Sequence, residues 1–161
     1  FNVKEGLPTA YVVRARIPAA DLRRLGLPDA VEIEGAVAAT AELAGRGVQI
    51  ARGTVEADLS GAAVGLPLLA WRKAPGEPGM LSAEVATGDG GLRPGRFRVS
   101  MPALEIAGSL SFDDAGAFAA ADLAPFRVGD TDATVAVRQP AERPVEIAIS
   151  GRQIDLRPFL E

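Results

Sequence analysis

Residues 31–43 read VEIEGAVAATAEL, and this stretch decides the fold class. Its odd positions are apolar or small throughout, whereas Glu32, Glu34, Thr40 and Glu42 occupy even positions. A period of two is typical of a β-strand with one buried face and one solvated face. The stretch therefore predicts one long strand.

Further segments alternate in the same way along most of the chain. They are Tyr11–Ile17, Val48–Leu59, Met80–Thr87, Leu92–Met101, Ala103–Phe112, Ala117–Val128, Thr131–Arg138 and Val145–Ser150. Gly- and Asp-rich turns at 88–91, 113–116 and 129–130 join consecutive segments. Strands joined by such short turns pair antiparallel, so a meander is expected.

Two local features qualify this pattern. The apolar parity changes between Ile50 and Val55, which a β-bulge near Gly53 would explain. Ala19–Leu25 is the best helix candidate, because Pro18 precedes it and a glycine follows it. A second short turn is expected from 155 to 160.

The predicted fold is all-β and mainly antiparallel. We expect a curled, groove-like sheet of about nine strands with one or two short helices. A closed β-sandwich is the alternative. The whole chain, residues 1–161, reads as a single β-rich domain.

Composition excludes much chemistry. The 161 residues include no Cys and no His, so thiol catalysis, disulfides and the commonest general base are absent. The formal charge of −4 argues against nucleic acid as a partner. No phosphate-loop or nucleophile-elbow motif occurs. We therefore expect no enzyme, no cofactor and no metal.

The polar residues that could suggest a site have simpler explanations. The acid pairs Asp113/Asp114 and Asp130/Asp132 lie at turns, where Asp is favoured for its local hydrogen bonds. Lys73 could act as a base, but it lies in the stretch 71–79, whose two Pro and two Gly predict a rigid exposed loop.

The inward face is unusual because 30 residues are Ala and only 5% are aromatic. Two explanations stay open: ordinary packing with small side chains, or an apolar face that is filled by something else. The candidate groove residues are apolar members of the alternating strands. They are Val31, Ile33, Val37, Leu104, Ile106, Leu110, Val135, Val137, Ile147 and Ile149.

Three stretches, taken in order, resemble a known family. They are residues 57–78, ADLSGAAVGLPLLAWRKAPGEP; residues 126–132, FRVGDTD; and residues 145–160, VEIAISGRQIDLRPFL. Together they resemble the AsmA-like proteins of Gram-negative bacteria, a family that includes the TamB and YhdP relatives.

The resemblance implies a long, curled β-sheet with an apolar inner groove. It also implies an anchor in the inner membrane, a path through the periplasm, and a role in phospholipid transport or outer-membrane maintenance. The partners expected on this basis are phospholipid or another lipid and neighbouring β segments of the same protein. The chain begins with Phe and shows no membrane helix, so we expect it to be a section of a longer protein.

Overall fold

The computed structural model describes residues 7–24, 29–88, 91–157 and 160. Its strands are β1 (Pro8–Pro18), β2 (Glu32–Glu34), β3 (Ala36–Arg46), β4 (Gln49–Asp58), β5 (Ala63–Leu66), β6 (Trp71–Lys73), β7 (Met80–Gly88), β8 (Gly91–Met101), β9 (Leu104–Phe112), β10 (Phe118–Val128), β11 (Thr131–Arg138) and β12 (Glu146–Gln153). A helix, α1 (Ala19–Arg24), and a 3-10 helix (Pro67–Leu69) complete the elements. The all-β prediction is confirmed.

The main sheet has nine strands in the order β1-β3-β4-β7-β8-β9-β10-β11-β12. Every neighbouring pair is antiparallel, as the turn chemistry predicts. The sheet is open, with β1 and β12 as its two edges. A closed β-sandwich does not describe it, because the second sheet, β2-β5-β6, has only three short strands.

The long strand expected over residues 31–43 is interrupted at Gly35. Residues before it form β2 in the small sheet, and residues after it form β3 in the main sheet. Gly35 has a φ of +94°. A Cβ there would also lie 3.0 Å from the Gly61 carbonyl oxygen. Alternation continues through this bend, so periodicity alone cannot reveal it.

The bulge expected near Gly53 is confirmed. Ala44 pairs with Arg52, but the next residue of β3, Gly45, pairs with Ile50. Ala51 is therefore the extra residue of β4. This insertion returns the side chain of Ile50 to the apolar face, which explains the change of parity.

The small sheet packs against one end of the main sheet and forms the core there. Ile33, Val64 and Trp71 of the small sheet cluster with buried residues of the main sheet such as Val37 and Leu104. The indole N–H of Trp71 also donates a hydrogen bond of 3.0 Å to the Pro102 carbonyl. The core is therefore local to this end.

The helical predictions are largely confirmed. Helix α1 begins at Ala19 as expected and is described to Arg24, and Leu22 packs against the core. In the C-terminal turn, the Leu160 N–H donates to the Arg157 carbonyl. Residues 25, 158 and 159 lie outside the described residues. No helix among those described is both long enough and apolar enough to span a bilayer.

Lys73 corrects a sequence prediction, because it is fully buried rather than exposed in a loop. Its ammonium donates to the carbonyls of Ala62 at 2.8 Å, Ala74 at 2.9 Å and Ser60 at 3.5 Å. The side chain shares a strand face with buried Trp71, so the alternation of β6 turns it inward. The carbonyls then replace the water that an ammonium would lose on burial.

Replacing Lys73 with Met should destabilise the fold by about 2–4 kcal/mol, because buried carbonyls lose their donor. Urea unfolding followed by circular dichroism measures this change. Arg72→Ala is the matched control, since Arg72 is exposed and its ion pair with Glu32 lies at the surface. Equal midpoints for Lys73→Met and the parent protein would contradict the stabilising role of the ammonium.

Candidate functional site

One face of the main sheet is apolar from edge to edge. Residues that lie directly opposite each other in paired strands project to the same face, so the registers define rows across all nine strands. The first row is called the covered row here. It consists of Ala15, Ala39, Ala57, Leu81, Val99, Ile106, Phe126, Ala133 and Gly151.

The next row is also apolar, and it is called the open row here. It consists of Val13, Ala41, Val55, Ala83, Phe97, Gly108, Leu123, Val135 and Ile149.

The two rows differ in what lies above them. Six members of the covered row belong to the core or pack against it: Ala39, Ala57, Leu81, Val99, Ile106 and Phe126. Among the described residues, no member of the open row belongs to this core cluster, although Val135 is itself buried, at 7% exposed. The terminal side chains of the open row, Val13 and Ile149, are 49% and 53% exposed.

The ten predicted groove residues divide between these two environments. Five lie in the core or pack against it, at the end of the main sheet where the small sheet lies: Val31, Ile33, Val37, Leu104 and Ile106. Ile33 belongs to the small sheet itself. The other five lie beyond the cover. Val135 and Ile149 belong to the open row, and Leu110, Val137 and Ile147 form the following row together with Ala121.

Several central members of the open row were missed by sequence reasoning. Val55, Ala83, Phe97 and Leu123 occupy predicted strands, but the sequence does not say which of their apolar positions align. That alignment depends on the registers, and the bulges shift several of them. The signal that could have found these residues is the parity change at each bulge.

Large and small side chains alternate along part of the open row. Ala41, Ala83 and Gly108 lie between larger neighbours such as Val55 and Phe97. Small residues lower the surface at these points, so the face is furrowed rather than flat. Gly108 has a further reason to be small, because a Cβ there would lie 2.1 Å from the Asp122 carbonyl oxygen.

The opposite face of the sheet is polar and carries several ion pairs. Glu105 binds Arg98 and Arg127, each at 3.2 Å, and the Arg127 Nε lies 3.5 Å from Asp132. A hollow of about 580 Å³ in the middle of the sheet is lined mainly by this face, including Glu56 and Arg96. This hollow therefore lies mainly on the polar side of the sheet.

The chain after β12 folds back over the β10–β11 turn. The Asp155 N–H donates to the Thr131 hydroxyl at 3.1 Å, and Arg157 bridges Asp155 at 2.7 Å and Asp130 at 2.6 Å. Hydrogen bonds from the Arg157 side chain and backbone lower the pKa of Asp155, and the two carboxylates raise the pKa of Arg157.

Three of the four aspartates of the two acid pairs have structural partners. Asp113 accepts a hydrogen bond from the Ala117 N–H within its turn, and Asp130 and Asp132 bind different arginines. Within the described ranges, no three carboxylates are grouped so that they could hold a metal ion.

Comparison with protein-family models, with curated proteins and with solved structures finds no match for this chain. A function can therefore be inferred only from the residues and geometry described above.

Gly108→Ala should destabilise the fold by about 1–3 kcal/mol or more, because the new methyl group would collide with the backbone of β10. Gly95→Ala is the matched control. It also lies in a strand, and its Cβ would meet its nearest neighbour only at 3.9 Å. Urea midpoints that fall equally for both variants would show that close strand approach at Gly108 is unimportant.

The attachment of the C-terminal tail should weaken in acid. The folded-state pKa of Asp155 lies below its usual value of 3.8, so the carboxylate stabilises the fold above that pH and loses this effect as pH falls toward the folded pKa. Asp155→Asn should therefore lower the urea midpoint at pH near 7 and have a smaller effect near pH 3. A difference between variant and parent that grows in acid would contradict this sign.

Proposed function

We propose that the chain is a section of an AsmA-like envelope protein and that its open row contacts lipid acyl chains. The observation that supports this proposal is the apolar row that crosses nine strands outside the core cluster, half-buried in its middle and exposed at its two ends. An extended apolar surface of this kind marks a site for a partner or a ligand. The absence of Cys and His from the sequence fits a protein that acts through its surface.

The length of the open row and its apolar side chains suit the binding of a hydrocarbon chain. Nine strands spaced about 4.8 Å apart give a row roughly 40 Å long. Each methylene that leaves water contributes about 0.8 kcal/mol, so several methylenes along the furrowed face supply measurable affinity. The ion pairs of the opposite face keep that side in water, and the sheet is thus amphipathic as a whole.

The cellular setting is part of the same proposal and rests on the resemblance at residues 57–78, 126–132 and 145–160. On this basis the full-length protein is anchored in the inner membrane and extends through the periplasm. Neighbouring β segments of the same protein would pair with the two free edges of the sheet, β1 and β12. Its role would be phospholipid transport or maintenance of the outer membrane.

A fluorescent fatty acid tests the binding step. The purified chain should bind the probe saturably, and native mass spectrometry should detect co-purified phospholipid. Val55→Asp and Leu123→Asp each place a charge in the open row, so each should weaken probe binding by about tenfold or more.

Adjacent residues on the polar face provide matched controls. Thr54 is next to Val55 in β4, and Thr134 is next to Val135, the residue of β11 that pairs with Leu123. Thr54→Asp and Thr134→Asp introduce the same side chain at these places, and both residues are exposed. These controls should bind like the parent, and circular dichroism checks that all four variants are folded. No saturable binding by the parent, or equal loss in the control variants, would refute the proposal.

A ligand-free structural or protein-interaction domain is the second candidate. The two unpaired edge strands favour it, because exposed edges readily add a further strand. A folded parent protein that binds neither probe nor phospholipid would support this candidate.

A further inference from the structure

The β1 edge of the main sheet has backbone groups that point away from the sheet. β1 pairs with β3 from Pro8 to Pro18 without a register shift. Just beyond the two ends of this ladder, the Gly47 N–H donates to the Leu7 carbonyl and the Ala19 N–H donates to the Gly35 carbonyl. Odd-numbered residues therefore bond toward β3. Since backbone groups alternate in direction along an antiparallel strand, those of even-numbered residues face outward.

Pro8 and Pro18 limit this free edge. Both are even-numbered, so their backbone nitrogens face outward, but Pro has no N–H to donate. All residues from 10 to 16 are exposed. Within β1 the outward N–H donors are those of Ala10, Val12, Arg14 and Arg16. The free edge is thus long enough to pair with one further strand.

The two arginines of this edge have no carboxylate opposite them. Arg14 lies opposite Thr40, and Arg16 lies opposite Ala38. Both side chains project to the polar face, because Val13 between them belongs to the open row. Neither arginine forms an ion pair with a described residue, whereas three arginines farther along this face do. The β1 edge therefore carries two unpaired positive charges on one face.

We propose that β1 accepts an antiparallel strand of another polypeptide in which acidic and apolar residues alternate. Carboxylates opposite Arg14 and Arg16 would pair with the two free guanidinium groups on the polar face. Apolar residues opposite Val13 and Ala15 would extend the open row and the covered row by one strand. Main-chain hydrogen bonds to the outward groups supply affinity, and the two charge pairs select the partner.

A second copy of this chain does not supply such a strand. Two β1 strands would bring four arginines together with no carboxylate on either strand. The other edge of the main sheet, β12, has Glu146 as its only acidic residue, so it could face only one arginine. β2 has the required pattern, but its Ile33 is buried in the core. The arginines therefore disfavour pairing between copies and admit an acidic strand.

This inference deepens the proposal that neighbouring β segments join the free edges of the sheet, and it rests on that proposal for its setting. It specifies the charge pattern of the segment beside β1. Lipid binding is tested with a fatty acid at the open row, whereas the edge is tested with peptide alone. Peptide binding without fatty-acid binding would support the edge pairing and remove the lipid proposal, so the two failures are distinguishable.

A synthetic strand tests the charge selection. A fluorescein-labelled peptide of sequence TVEVEVT should bind the parent saturably by fluorescence anisotropy, and TVKVKVT should not. The variant with both Arg14→Glu and Arg16→Glu places like charges opposite the acidic peptide, so the Kd of TVEVEVT should rise about tenfold or more. The same variant should gain binding to TVKVKVT.

Arg52→Glu combined with Arg143→Glu is the matched control. It changes the net charge equally at exposed positions outside β1, so it should bind TVEVEVT like the parent. Equal loss of binding in this control would overturn the charge selection, and so would a parent that binds both peptides equally.

The direction of the backbone groups gives a second test. Val12→Pro removes an outward N–H and no bond to β3, so the variant should remain folded by circular dichroism and bind TVEVEVT more weakly. In the parent, the peptide should slow amide hydrogen exchange at Val12, Arg14 and Arg16, measured by NMR. Exchange at Val13 and Ala15, which face β3, should stay unchanged. A parent that binds neither peptide, or that binds TVEVEVT without this alternating protection, would refute strand addition at β1.

Discussion

The end of the molecule where the small sheet packs on the main sheet depends on the hydrogen bonds of the buried Lys73 ammonium. This ammonium binds carbonyls on both sides of the small sheet, at Ser60 and Ala62 before β5 and at Ala74 after β6. Short strands such as β5 and β6 have few ladder hydrogen bonds of their own, so a shared donor fixes their separation. Trp71 on the same strand then contributes the apolar contact that closes the core.

The small size of this cover determines the character of the main sheet. Three strands of three or four residues can shield one end of a sheet whose strands run to eleven residues. The covered row therefore becomes core, whereas the open row has the same apolar character and no second layer. The apolar area that the open row exposes to water is limited, because neighbouring side chains half-bury one another along the row.

Sequence reasoning could predict the nine main strands and the bulge in β4, because alternation and turn residues are local signals. It could not predict β5 and β6, since strands this short do not establish a period and the surrounding Pro and Gly indicate a loop. Parity likewise identified Ile33 and Ile149 as equivalent apolar residues. Only the position of the small sheet, set by contacts between residues distant in the chain, places one in the core and the other in solvent.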